Sequence, residues 1–565
     1  MVYRIKNHRI EVEDPDDGKF HDFCEEVLIS KVITDLLSGR MEVEVTIYTA
    51  SGGVPLLLPR GKINRHILPE LINMGLTVIE NKDQADFIMQ VLLESEPVAL
   101  CVYRHDRLGF CQIDGNDIFL AHSPIGLADP SKAASEYAFP RATQPKGTFE
   151  SWKAVMESEV LGHPNLELAL ALGAVAPVAH LLMEASLLSL VPLFALIGRS
   201  STGKTTTLRM IASIYGAPTE KGGLLSDLNC TLNAFYAQLQ RQPGVPALVD
   251  ETSSVPEWDF GKVLYNLATG REKRRCTSDG QLREASEYSG CVIFTGERSL
   301  FDQTNGNDGL YARLVELTLP WTDDAAHAAQ LEFGCRNNYG TAVIPLLTWL
   351  LQNRDNLPLM FYDQYAYFTG KVVTTDGVED RLLKTYSLVI VAAQVITYAL
   401  GLPLDLSGMQ TLLLEQHKAC AYVQSTKDVL LEIYEHLKQQ VLDYGSRFPT
   451  EDSIRFTSTF WGMIGTNNGF PCVWIASQHF KEFLFEAKRR TQTSNESDND
   501  VMRLLHHQGY LARFYGDRFC KDKRLGSVDA KCYCLILKGT TVPPLKKKPT
   551  GKSQVDLLLS EGEDN

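Results

Sequence analysis

Residues 194–214, FALIGRSSTGKTTTLRMIASI, limit the possible folds of this chain more than any other stretch. A short apolar run predicts a strand, Gly198 interrupts it, and an apolar-periodic run after Lys204 predicts a helix. Between them, Gly198-x-x-x-x-Gly203-Lys204-Thr205 matches the phosphate-binding P-loop in full. Glycines let successive backbone N–H groups turn inward around a polyphosphate, and the following helix adds the positive end of its dipole. Ser200, Ser201, Thr202 and Thr206 complete the cradle. Lys204 can reach the β- and γ-phosphates, and the Thr205 hydroxyl can coordinate Mg²⁺. The order strand, loop, helix predicts a site for a nucleoside triphosphate, ATP with Mg²⁺.

At 565 residues the chain exceeds what a single hydrophobic core fills, so two to four domains are expected. A hydrophobic content of 44% with 22% charged residues is that of an ordinary soluble globular protein. The opening MVYRIKNHRIEVEDPDD has no apolar run after its basic residues, so no secretory signal is expected. The most apolar region, 166–197, is broken by Glu167, Pro177, His180, Glu184 and Pro192. It reads as buried helices leading into a core strand, with no membrane span. None of the twelve cysteines forms a CxxC pair, and Cys532 and Cys534 sit in an alternating strand pattern. Neither a cysteine zinc site nor a disulfide framework is indicated, which suits a reducing, cytoplasmic setting. The net charge of −14 opposes broad coating of nucleic acid but leaves room for a local basic site, since screening confines exposed charges to about 10 Å.

Along the chain, residues 1–125 read as an N-terminal α/β or β-rich domain. Residues 41–47 alternate at the strand period and Ser51-Gly52-Gly53 marks a turn. Helical patterns follow at 63–74 and 83–94, and strands at 98–103 and 118–121 flank the Gly115-Asn116 turn. Residues 126–149, rich in Pro, Ala, Ser and Gly, read as a linker. Residues 150–340 read as an α/β P-loop ATPase domain. Its second strand, Val245 to Val249, closes on Asp250 and Glu251, where a Walker B element belongs. Asp250 would hold Mg²⁺ and Glu251 would activate the attacking water. A simple P-loop kinase does not need the second acid, so Glu251 favours hydrolysis.

A third strand, Cys291 to Phe294, ends at Thr295, a candidate γ-phosphate sensor. Between these strands, Gly270-Arg271-Glu272-Lys273-Arg274-Arg275 and Arg283 flank an Asp279-Gly280 turn. This reads either as a hairpin whose Lys273, Arg274 and Arg275 grip a phosphate backbone or as a solvated basic loop. Arg313, soon after the sensor strand, reads either as an arginine finger for a neighbouring subunit or as a surface ion pair. Residues 341–445 read as a helical lid, in which Arg381 is a second sensor or an ordinary surface arginine. Residues 446–540 resemble a winged helix, with helices at 477–489 and 498–508 and strands at 510–515 and 531–537. Arg513, Arg518, Lys521, Lys523 and Arg524 lie on its wing. The tail, 541–565, reads as disordered. Within it, Gln554, Val555, Asp556, Leu557 and Leu558 are similar to the peptide by which bacterial replication proteins dock on a sliding clamp.

The P-loop, Val249-Asp250-Glu251-Thr252, the run from Tyr265 to Arg274, Phe294-Thr295-Gly296-Glu297-Arg298-Ser299-Leu300 and Arg313 together resemble one family over about 40–537. It is the domain-of-unknown-function group of bacterial AAA+ ATPases of phage, plasmid and staphylococcal cassette chromosome elements, related to MCM and superfamily 3 helicases. The resemblance implies a homo-oligomer, a hexameric ring, with ATP between subunits, a pore hairpin on single-stranded or forked DNA and a C-terminal winged helix. Primase acids and zinc-binding cysteines of the primase-fused members are not found, so priming would fall to a separate primase. The expected activity is that of an ATP-dependent DNA translocase or helicase, the replicative helicase of a mobile element. The alternative is a regulatory or defence switch that binds nucleotide without translocating.

Overall fold

The computed structural model describes residues 2–227, 230–252, 260–271, 275–276, 282–283, 287–301, 308–372, 377–450, 460–491, 493–494, 497–514, 518–525 and 528–537. Of the residues singled out above, Glu272, Lys273, Arg274, the Asp279-Gly280 turn and the tail peptide Gln554–Leu558 lie outside them. The chain divides into two compact units, 1–365 with 384–410, and 366–383 with 411–565. The helices expected to form one lid are thus shared between units.

The first unit opens with strands β1 (Tyr3–Lys6), β2 (Arg9–Glu13), β3 (Phe20–Asp35), β4 (Met41–Thr49) and β5 (Gly52–Pro59), each antiparallel to the next. In β4, Val43, Val45 and Ile47 are fully buried, as the period of two requires. Helices α1 (Leu68–Asn73) and α2 (Lys82–Ser95) supply Leu68, Leu71, Phe87, Ile88 and Val91 to the same core. The Asn81 side chain caps α2 by accepting from the Gln84 N–H at 2.9 Å. Strand β6 (Leu100–His105) then runs parallel to the second half of β3. A small sheet follows, made of β7 (Gly109–Ile113), β8 (Asn116–Leu120) and β9 (Pro124–Ile125).

Residues 126–149 are not a free linker. They contain α3 (Pro130–Ala133), β10 (Glu136–Tyr137) and α4 (Pro140–Thr143), and β10 pairs with β6 as the seventh strand of the first sheet. Pro130 and Pro140 occupy first helical positions, where a missing N–H costs nothing, so these prolines start helices. The small sheet also grips the next domain. The Leu108 and Phe110 N–H groups donate to the carbonyls of Arg241 and Pro243 at 2.9 and 2.8 Å. The Phe110 ring stacks on His180 with centroids 4.4 Å apart.

Helices α5 (Phe149–Glu159) and α6 (Pro164–Glu184) precede β11 (Leu193–Ile197), α7 (Lys204–Tyr215), β12 (Leu225–Ser226), α8 (Leu232–Gln240), β13 (Ala247–Val249) and α9 (Phe260–Ala268). Then come β14 (Arg275–Cys276), β15 (Leu282–Arg283), β16 (Val292–Gly296) and β17 (Leu314–Leu317). Five strands form one parallel sheet in the order β12-β13-β16-β11-β17. Every residue of β11 and β16 is buried, as a sheet covered on both faces demands. Phe235, Leu239, Val263 and Leu264 of α8 and α9 pack with Leu193, Ala195 and Ile197. Helix α6 is long and apolar, and most of it is buried in this unit. The Tyr215 hydroxyl donates to the Gly173 carbonyl at 2.7 Å, and Trp152 Nε1 donates to Ser213 Oγ at 2.9 Å, which ties α5 and α6 to α7. Strands β14 and β15 pair antiparallel through Arg275–Arg283 and Cys276–Leu282.

Helices α10 (Ala325–Asn337), α11 (Val343–Asn353), α12 (Leu357–Lys371), α13 (Gly377–Leu400), α14 (Leu406–Ala419) and α15 (Ala421–Asp443) follow. The second unit ends with β18 (Gly462–Asn467), β19 (Phe470–Ala476), α16 (Ser477–Arg490), α17 (Asp498–His507), β20 (Cys520–Leu525) and β21 (Val528–Ile536). Its antiparallel sheet has the order β18-β19-β21-β20, and Leu430, Ile433 and Leu437 of α15 share a core with α16 and α17. Residues 510–515, expected as a strand, contribute a bridge from Leu511 to Leu535. Pairing with β20 ends at Tyr533, which leaves only the last residues of β21 open on that edge.

Gly109 gives a test of the grip between the small sheet and the P-loop domain. Its φ is +87° and an added Cβ would lie 1.9 Å from the Pro243 carbonyl oxygen, whereas Gly115, at φ +78°, has open space. Both Gly→Ala variants carry a left-handed penalty of about 1 kcal/mol, and Gly109→Ala must also displace backbone. Thermal melting should fall clearly further for Gly109→Ala than for Gly115→Ala, and equal shifts would contradict this packing.

Candidate nucleotide site

The site forms where three parallel strands end side by side. At the end of β11, the Gly198 N–H donates to the Gly296 carbonyl at 3.1 Å, which joins the loop to the end of β16. The loop then turns through Ser201 at φ +64° and Gly203 at φ +85°. Thr202 Oγ1 donates to the Arg199 carbonyl at 3.0 Å and closes the turn. Lys204 is the first residue of α7 and is 8% exposed, with Nζ donating to the carbonyls of Gly198 and Arg199 at 2.7 Å each. Thr206 is buried, while Ser200 and Ser201 are exposed on the loop.

Asp250 follows β13, and its N–H donates to the Ser226 carbonyl at 3.0 Å. Its Oδ1 accepts from Thr205 Oγ1 at 3.2 Å and from Thr295 Oγ1 at 2.6 Å. Thr295 Oγ1 in turn accepts the Glu251 N–H at 3.0 Å. One hydroxyl therefore spans the two acids, and its only proton goes to Asp250. Glu251 has φ +60° and an exposed side chain. A left-handed glutamate costs of order 1–3 kcal/mol, and such strain persists where the surroundings hold it. Here the Thr295 hydroxyl and Thr252, whose Oγ1 donates to the Thr295 carbonyl at 3.0 Å, supply the restraint.

Thr252, Trp321 and Thr322 were not legible as site residues. The Trp321 N–H donates to the Thr202 carbonyl at 3.2 Å, and a Cβ on Gly203 would meet Thr322 Oγ1 at 2.6 Å. This strap braces the P-loop from behind because β17, which precedes it, pairs beside β11. The Asp-Glu-Thr run after β13 contained the signal for Thr252. Nothing local in the sequence marks the strap.

Arg313 sits just before β17, with its guanidinium carbon 4.0 Å above the Tyr265 ring and Nη1 donating to the Gly309 carbonyl. Arg381 is exposed on α13, in the second unit. The backbone of Arg275 lies in the β14–β15 ladder.

The donor set suits a magnesium nucleotide: a helix N-terminus with a lysine at its first residue, and a hydroxyl and a carboxylate oxygen 3.2 Å apart. Thr205 and Asp250 would hold Mg²⁺, which would neutralise phosphate charge.

Comparison with known proteins fits this geometry. Residues 8–287 match the model of DUF927, a domain of unknown function. That match spans the first sheet from β2 onward, the P-loop and Asp250-Glu251. A solved structure described as "SCCmec type IV Cch - active helicase" is similar over 99% of this chain and 98% of its own, with a TM-score of 0.60 and 21% identity. The two share a fold. No curated protein matches the chain.

Thr295→Ala should leave nucleotide affinity within a few-fold and slow ATP hydrolysis by roughly 10–100-fold, the cost of misplacing a positioned group. Thr295→Ser should recover most of the rate, since the hydroxyl is what spans the acids. Steady-state phosphate release and fluorescent-nucleotide titration check both, and a normal rate in the alanine variant would refute the role.

Proposed function

We propose that the chain is an ATP-dependent DNA translocase, the replicative helicase of a mobile genetic element, working as a hexameric AAA+ ring. The observation that carries this reading is the hydroxyl of Thr295 placed between Asp250 and Glu251, on a strand inserted between the P-loop strand and the acidic one. A site for phosphoryl transfer to a small metabolite has no need of a second, exposed acid held at a strand end. The shared fold with a protein described as an active helicase and the DUF927 match support the same class.

In this mechanism the P-loop backbone from Gly198 to Thr206 binds the triphosphate and Lys204 exchanges its two carbonyl contacts for phosphate oxygens. Glu251 takes the proton of the attacking water, and Thr295 keeps the acids in register while its carbonyl is held by Thr252. Arg313 reaches a neighbouring subunit's nucleotide. The β14–β15 hairpin, with Lys273, Arg274 and Arg275, moves along one DNA strand. We read the order α15, β18, β19, α16, α17, β20, β21 as a winged helix with one added strand, and exposed Arg513, Arg518, Lys521 and Arg524 suit contact with duplex DNA. Arg381 acts as a second sensor, the tail peptide at 554–558 docks on a clamp, and a separate primase supplies primers.

Glu251→Gln should bind ATP as the unmodified chain does and lose roughly 10²–10⁴ of the hydrolysis rate, whereas Lys204→Ala should lose binding. Measured with and without single-stranded DNA, hydrolysis should be strongly stimulated by the strand, and the stimulation should fall with added salt. Turnover indifferent to DNA would overturn translocation and favour a nucleotide switch.

A further inference from the structure

Three side chains outside the nucleotide site converge at the start of α6 and α10. His163 is the N-cap residue of α6, Asp323 closes the strap that follows β17, and His327 lies in the first turn of α10. His163 Nδ1 is 3.2 Å and His327 Nδ1 is 3.7 Å from the same Asp323 oxygen, Oδ2. One donor atom from each of the three lies within 4.8 Å of the other two. A tetrahedral ion with bonds of about 2.0–2.1 Å places its donors about 3.3 Å apart, so small adjustments suffice.

Protonation of the second imidazole is also arranged. His327 Nε2 lies 2.8 Å from the Glu159 carbonyl oxygen, which can only accept. In the neutral ring the proton therefore sits on Nε2, and the Nδ1 lone pair faces Asp323. A histidine whose far nitrogen is fixed by a carbonyl is the usual outer arrangement of a metal ligand. The Asp323 N–H also approaches His327 Nδ1, at 3.4 Å, the long limit of a hydrogen bond, so a cation displaces little. The His327 side chain is 11% exposed, His163 33% and Asp323 70%, which leaves an outward side for water.

We propose that His163, Asp323 and His327 form a binding site for a borderline divalent transition ion, with Zn²⁺ as the reference case. Two imidazoles and one carboxylate favour such an ion over Mg²⁺, which takes oxygen donors. The site joins the N-terminal ends of α6 and α10 to the strap. Trp321, two residues before Asp323, holds the P-loop carbonyl of Thr202, and the Pro320 carbonyl accepts from Asn165 Nδ2 at 2.7 Å. The ion would therefore stiffen the support behind the nucleotide loop without touching nucleotide.

The test uses the full chain stripped with a chelator and titrated with Zn²⁺ by calorimetry, with Co²⁺ absorption reporting a tetrahedral nitrogen-containing site. The unmodified chain should bind one equivalent more than His163→Gln/Asp323→Asn, or bind it at least about 10–100-fold more tightly. Both exchanged residues are partly or largely exposed, and matching melts in chelator check the fold. His21→Ala, in the separate exposed cluster with Asp14 and Asp17, should leave that equivalent in place. Zn²⁺ should raise the melting temperature of the unmodified chain more than that of the double variant. Equal stoichiometry and affinity in both would overturn the site and leave a histidine–aspartate ion pair.

Discussion

The hydroxyl of Thr295 holds the candidate nucleotide site together. It has one proton to give and lone pairs to receive with, and it spends the proton on Asp250 while accepting the backbone of Glu251. That contact requires the strands carrying these residues to be neighbours, ending at one level. The parallel register Val249–Phe294 and Leu196–Thr295 meets the requirement. A slip of one residue in either ladder would turn Thr295 to the other face of the sheet and release both acids. The helices α6 to α9 that cover the sheet hold this register by burying both of its faces.

The same register explains why the P-loop is held from behind. Strand β17 pairs with β11 on the side away from β16, so the residues after β17 emerge beside the loop. Trp321 and Thr322 fill that place, and Gly203 has no room for a side chain against them. The glycine of the motif thus answers to two demands, a left-handed φ of +85° and the approach of Thr322. The first belongs to phosphate binding in general. The second belongs to this chain.

The convergence of Thr205, Asp250 and Thr295 was legible because phosphate and magnesium chemistry fixes residue types at short spacing, and strand ends mark where acids and hydroxyls must fall. The alternation of 41–47 and the helical periods at 63–74 and 83–94 were legible for the same local reason. What escaped depended on partners far along the chain. The prolines of 126–149 look like linker composition until β10 is seen paired with β6. Gly109 looks like a turn glycine, and only the approach of Pro243 reveals it as a docking point. The cysteines drew attention to metal chemistry because their spacing can be read. His163 and Asp323, so distant in sequence, could not be joined before β17 was placed next to β11.

Arg313 shows how a local arrangement can coexist with the proposed ring. Its guanidinium lies over Tyr265 and donates to the Gly309 carbonyl. Releasing a cation–π contact costs about 0.5–2 kcal/mol and a charged hydrogen bond about 1.5–3 kcal/mol. An arginine finger worth 10³–10⁵ in rate supplies roughly 4–7 kcal/mol in the transition state. The gain is comparable to or larger than the cost, so a neighbour's nucleotide can draw Arg313 off Tyr265. Tyr265 also lies on α9, which leads through Gly270 into the β14–β15 hairpin. Departure of the guanidinium thus uncovers a ring on the helix that leads into the hairpin, and in the proposed ring α9 would link a neighbouring subunit's catalytic state to the position of this subunit's proposed DNA-facing hairpin.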